Sequence, residues 1–143
     1  MLNKKFIQGL IKPWLEKGKE DLLFAKAALK ENKFYSHVCY LSQQAVEKYL
    51  KALILLKKGE ITKEDKTHNL IYLAKKCKTL IDFSGLEKEL RILSQVYIPA
   101  RYPDEAHLRA FSEKEAKECL EIAEKILNHI ENWIREKRIL KKI

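Results

Sequence analysis

The chain has 143 residues, 46% hydrophobic and 34% charged, a globular balance with room for one domain over 1–143 and hardly for a second. Four glycines, three prolines, three valines and three threonines are too few for the strands and turns of a sheet protein, so the composition predicts an all-α fold. The net charge of +9 comes from 24 lysines and five arginines; it favours acidic partners such as RNA, a nucleotide or an acidic protein, or else reflects lysines scattered over solvated helix faces.

Pro13 can occupy the first turn of a helix, and Trp14, Leu22, Ala25 and Leu29 recur behind it at helical spacing, predicting a first helix from Pro13 to Glu31 with Gly18 as its weak point. A second helix is expected from Phe34 or Tyr35 to Lys58, stopped by Gly59. Its apolar residues cover well over half of its circumference, which makes it the central helix. Thr67 is a plausible N-cap for a third helix carrying Leu70, Leu73, Ala74 and Cys77. Leu86, Leu90, Leu93 and Tyr97 define a fourth, which must end before Pro103 because the preceding residue is pushed toward extended geometry. Ser112 and Glu115 have the form of a capping box, and the stripe Ala116, Leu120, Ala123, Leu127, Ile130 and Ile134 predicts the last helix. The sum is an up-and-down bundle of four long helices plus a shorter one. Residues 135–143 form a basic tail that either frays or touches RNA.

Cys39, Cys77 and Cys119 are far apart and sit in apolar helical patterns, so they read as buried thiols, with neither a disulfide nor a metal site. The longest uncharged run, residues 34–46, is 13 residues long and too short to cross a bilayer. No membrane association is expected, and the expected location is cytoplasmic.

Two groups of residues have chemical potential. On the second helix Gln44, Glu47, Lys48 and Lys51 stand three or four apart and form one polar stripe; periodicity reads it as a solvent face, with Glu47 and Lys51 as an i,i+4 pair. After the fourth helix come Arg101, Tyr102, Pro103, Asp104 and His107. A guanidinium there grips a phosphate or pairs with Asp104, and an imidazole near neutral pKa shuttles protons, which is what metal-free phosphodiester cleavage at a ribose 2′-OH requires. His68, beside Thr67, either dresses a helix start or contacts a ligand. His37 and His129 have no partners in sequence and read as packing or surface residues.

These segments together resemble the HEPN family. The resemblance rests on residues 20–28, on Gln43-Gln44-Ala45-Val46-Glu47-Lys48-Tyr49-Leu50-Lys51-Ala52, on His68-Asn69-Leu70, and on Arg101-Tyr102-Pro103-Asp104. It implies a helical bundle, a homodimer, and for many members a toxin role beside a minimal nucleotidyltransferase. In the ribonuclease members an Arg-x(4–6)-His motif cleaves RNA without metal; Arg101 and His107 fit that spacing. The resemblance therefore implies Arg101 and His107 as catalytic residues, with Glu47, Lys48, Lys51, His68, Tyr102 and Asp104 contacting RNA or nucleotide, and no cofactor. Two features depart from the toxin branch. Arg109 stands where those members commonly have a tyrosine, and the Arg-Tyr-Pro-Asp branch is one from which nucleotide binding is generally inferred. The alternative is a non-catalytic module that binds a nucleotide or docks a partner.

Overall fold

In the computed structural model, which describes residues 3–96 and 111–142, the chain forms five α-helices and no strand among those residues. They are α1 (Lys4–Lys30), α2 (Tyr35–Lys58), α3 (Leu70–Lys76), α4 (Glu87–Ser94) and α5 (Glu113–Glu136), with a 3₁₀ turn at Lys63–Asp65. The all-α bundle expected from composition is what the chain adopts.

α1 begins nine residues before Pro13. The Asn3 side chain accepts from the backbone N–H groups of Lys5 and Phe6 and so caps it at Lys4. Pro13 therefore sits inside the helix, where it donates no hydrogen bond. The helix continues because Ile11 and Leu15, on either side, are both buried in the core. α2 has the predicted bounds, with Gly59 in the left-handed conformation (φ 78°) and its N–H bonded to the Leu55 carbonyl.

Contacts between helices fix their directions. Asp21 pairs with Lys48, and Gly18 lies against Ala45 and Tyr49, so α1 packs on the middle of α2. Lys19 and Lys26 reach Glu131 and Glu124, making α1 and α5 antiparallel. Cys39 Sγ lies 3.8 Å from the Glu115 carbonyl and Tyr49 donates to Glu131, so α2 and α5 run side by side in one direction and α1 runs antiparallel to both. The core is one cluster of Leu, Ile, Val and Ala from all five helices. Each Leu or Ile buried there contributes about 1.5–3 kcal/mol.

The third and fourth helices are shorter than the last. α3 starts at Leu70, because Asn69 rather than Thr67 supplies the cap, accepting from Ile71 N and Tyr72 N. The Leu70 N–H, left over at that helix start, donates to Ser94 Oγ at 3.0 Å and ties α3 to α4. α4 buries Leu90 and Leu93 as the periodicity requires and is capped at Gln95; Tyr97 and the approach to Pro103 lie outside the described residues. At α5 the capping box is present, with Ser112 Oγ accepting from Glu115 N at 3.1 Å and Glu115 Oε1 from Ser112 N at 3.2 Å.

Beyond α5 the chain folds back on α1: Gln8 Nε2 donates to the Ile139 carbonyl at 2.9 Å, and Leu140 is buried. All three cysteines are buried, and burial pushes the Cys77 thiol up to about 12. No helix among the described residues is long and apolar enough to cross a membrane.

Candidate functional site

The middle of α2 carries the polar stripe, but most of it does not face solvent. Glu47 is 4% exposed and Lys51 7%. Their ion pair, 2.9 Å from Lys51 Nζ to Glu47 Oε2, is thus buried, against the expectation of a solvated i,i+4 pair. The reason is tertiary: the segment leading into α3 packs across this side of α2 and supplies partners that periodicity cannot reveal.

His68 from that segment and three side chains of α2 itself surround one carboxylate. Glu47 Oε1 faces His68 Nδ1 at 2.8 Å and accepts from Gln43 Nε2 and Gln44 Nε2, both at 3.2 Å. The Gln43 amide also donates to the His68 carbonyl at 2.9 Å, while its own oxygen accepts from Gln44 Nε2 at 2.8 Å. A carboxylate taken from water is tolerable when its lone pairs are filled in this way. Removing one partner of such a pair typically costs about 3–5 kcal/mol.

His68 stands at the edge of this network, its side chain 45% exposed. With a carboxylate opposite Nδ1, that nitrogen carries a proton, and the ring is held in one orientation. A buried Lys–Glu pair thereby fixes an imidazole that reaches the surface. Such an arrangement is chemically able to contact a ligand or transfer a proton.

Lys48, next to Glu47 in sequence, is engaged instead by Asp21 of α1. Both cations expected to contact a ligand are therefore already paired: Lys51 by Glu47, Lys48 by Asp21. Gln43 in the Glu47 network and Asp21 against Lys48 belong to the family-like segments, yet no local signal marks them as partners. Arg101, Tyr102, Pro103, Asp104 and His107 lie outside the described residues.

A second buried carboxylate, Glu131 of α5, accepts from Tyr49 Oη at 2.8 Å and Lys19 Nζ at 3.1 Å. Burial and the Glu131 carboxylate push the Tyr49 phenol well above its ordinary range. This cluster locks α1, α2 and α5 together. Among the described residues no group of three or more His, Cys, Asp or Glu side chains is placed to hold a metal ion.

Comparison with known proteins agrees with this architecture. The chain is 32% identical to the Methanocaldococcus jannaschii protein MJ1304, which carries a provisional toxin name, covering 92% of this chain and 93% of that one. Its fold matches the crystal structure of TT1696 from Thermus thermophilus with a TM-score of 0.75 and 30% identity, over 86% of this chain and 97% of the other. ST0689, described as an archaeal HEPN homologue, matches with a TM-score of 0.67 and 28% identity, over 87% and 97%. The HEPN domain model matches residues 11–133, from the first turns of α1 nearly to the end of α5, and the chain belongs to the HEPN domain family.

Proposed function

We propose that this protein is an RNA-directed HEPN domain, a homodimer that binds RNA or a nucleotide beside the Glu47–His68 network and cleaves RNA without metal as the toxin of a pair with a minimal nucleotidyltransferase. The observation that carries this reading is the surface-reaching His68 imidazole held by a buried carboxylate and lysine on the central helix. Family membership, the toxin name of a relative and the +9 charge support it.

In this reading Arg101 stabilises charge on the scissile phosphate, and His107 acts as general acid or base. Tyr102 and Asp104, next to Arg101 in sequence, contact the RNA or nucleotide. His68 contacts the bound strand, oriented by Glu47. Lys48 and Lys51, each already paired, tune the local potential and hold the site's shape.

The test is degradation of single-stranded RNA by the purified protein in EDTA. Wild type is expected to cut, and Arg101→Ala and His107→Ala to be inactive. Equal cleavage by all three proteins would contradict the assignment. Binding without cleavage by wild type would leave the non-catalytic binding module as the function.

A further inference from the structure

The turn between α1 and α2 contains two non-glycine residues in the left-handed region, Asn32 at φ 53° and Phe34 at φ 63°. Asparagine adopts this conformation readily; for a bulky aromatic residue it is an outlier. Such strain is usually offset by burying the ring. Phe34 is instead 49% exposed, with no side-chain cap to the helix it precedes. Strain held without full burial directs attention to what the ring does at the surface.

Its neighbours are those of a base-stacking contact. Lys33 Nζ sits 4.9 Å from the ring centroid, and the His37 ring approaches edge-on with centroids 6.4 Å apart. An exposed aromatic face accompanied by a cation binds any base by stacking while the cation serves the backbone. The apolar surface here is a single ring beside a cation and an imidazole, which fits a nucleobase better than the apolar face of a protein.

The platform is also continuous with the candidate site. His37, Gln44 and Lys48 are seven and eleven residues apart, nearly whole turns, and so lie along one side of α2. In the middle of that otherwise buried helix, Gln44 and Lys48 are partly exposed. The path from Phe34 to Glu47 runs ~20 Å along the axis, within reach of a short single strand.

We propose that Phe34, with Lys33 and His37, is a stacking platform for single-stranded RNA at the far end of a track that leads along α2 to the Glu47–His68 network. This inference rests on the RNA-binding reading above. It is tested by fluorescence anisotropy of a labelled oligoribonucleotide of about ten nucleotides with the full chain in EDTA, using a parent inactivated by His107→Ala, which removes the proton-transfer group and keeps the Arg101 guanidinium, so that the strand survives.

Phe34→Leu keeps apolar bulk but no π face, and Phe34→Gly accepts the left-handed backbone without strain. Both are expected to stay folded and to bind about tenfold more weakly, whereas Phe34→Trp retains binding. Lys33→Ala should reduce the salt dependence by about one phosphate contact. Unchanged affinity in both Phe34→Leu and Phe34→Gly, while the parent binds, would overturn the platform and leave the RNA reading intact. Absence of binding by the parent would overturn both. A change in oligomeric state with unaltered RNA affinity would assign the ring to a protein contact and also overturn the proposal.

Discussion

Replacing Gly18 by alanine puts a methyl group 2.7 Å from Tyr49 Cδ1 and 3.0 Å from the Ala45 carbonyl oxygen. Gly18 lies well inside α1, where alanine is intrinsically better than glycine by about 1 kcal/mol. Here that gain is outweighed. Tyr49 is fully buried, its ring cannot swing into open space, and the other contact is backbone. Overpacking of this kind typically costs about 1–3 kcal/mol. Moving the ring also stretches the Tyr49–Glu131 hydrogen bond, and a bond to a charged group contributes about 1.5–3 kcal/mol. The expected net loss is about 1–3 kcal/mol, read as a lower urea midpoint at unchanged m-value. Gly9 is the internal control: it lies in the same helix with nothing within 4 Å of an added Cβ, so Gly9→Ala should stabilise by about 0.5–1 kcal/mol. Stabilisation of comparable size by both substitutions would refute the claim that α1 and α2 touch through Gly18.

Glu47→Ala strands the Lys51 ammonium in the interior and is expected to cost about 3–5 kcal/mol, whereas Glu47→Ala with Lys51→Met should recover a large part of that; thermal unfolding of the two singles and the double gives the coupling, and additivity would argue against a buried pair. Asp65 provides a pH test. Its burial alone would raise its pKa, but the Lys58 ammonium at 2.6 Å and the Thr62 hydroxyl and N–H outweigh that and hold it at about 2. Because the folded value lies below the unfolded one, its contribution is complete above about pH 4 and is lost as the pH falls toward about 2. Urea denaturation of Asp65→Asn should therefore show lower stability at neutral pH and a smaller further loss over that acidic window; parallel curves for variant and wild type would contradict it.

What could be read from the linear chain follows the reach of each signal. Gly59 and the Ser112–Glu115 box are local devices, and each ends or starts a helix where spacing places it. The start of α1 is not legible because Asn3 precedes a mixed segment with little periodicity, and Pro13 draws attention to a later start. Gly18 reads as a helix weakness in sequence; only the neighbouring helix turns its missing side chain into a close approach. The same distinction governs the site. Three- and four-residue spacing groups Gln44, Glu47, Lys48 and Lys51, yet it cannot say which are covered. His68 and Asp21, distant in sequence, decide that Glu47 is buried under an imidazole and that Lys48 is neutralised.

If His68 is held by Glu47 to meet RNA, its ring must respond to the strand, which imidazole nitrogen–proton correlation spectra of the full chain read residue by residue. Titration with a single-stranded oligoribonucleotide in EDTA should displace the His68 ring resonances saturably, while those of His129, bonded through Nε2 to the Asp82 carbonyl, stay in place. His68 resonances that remain fixed while the strand binds would contradict an RNA contact at this ring, leaving the Glu47 network as a helix-packing device alone.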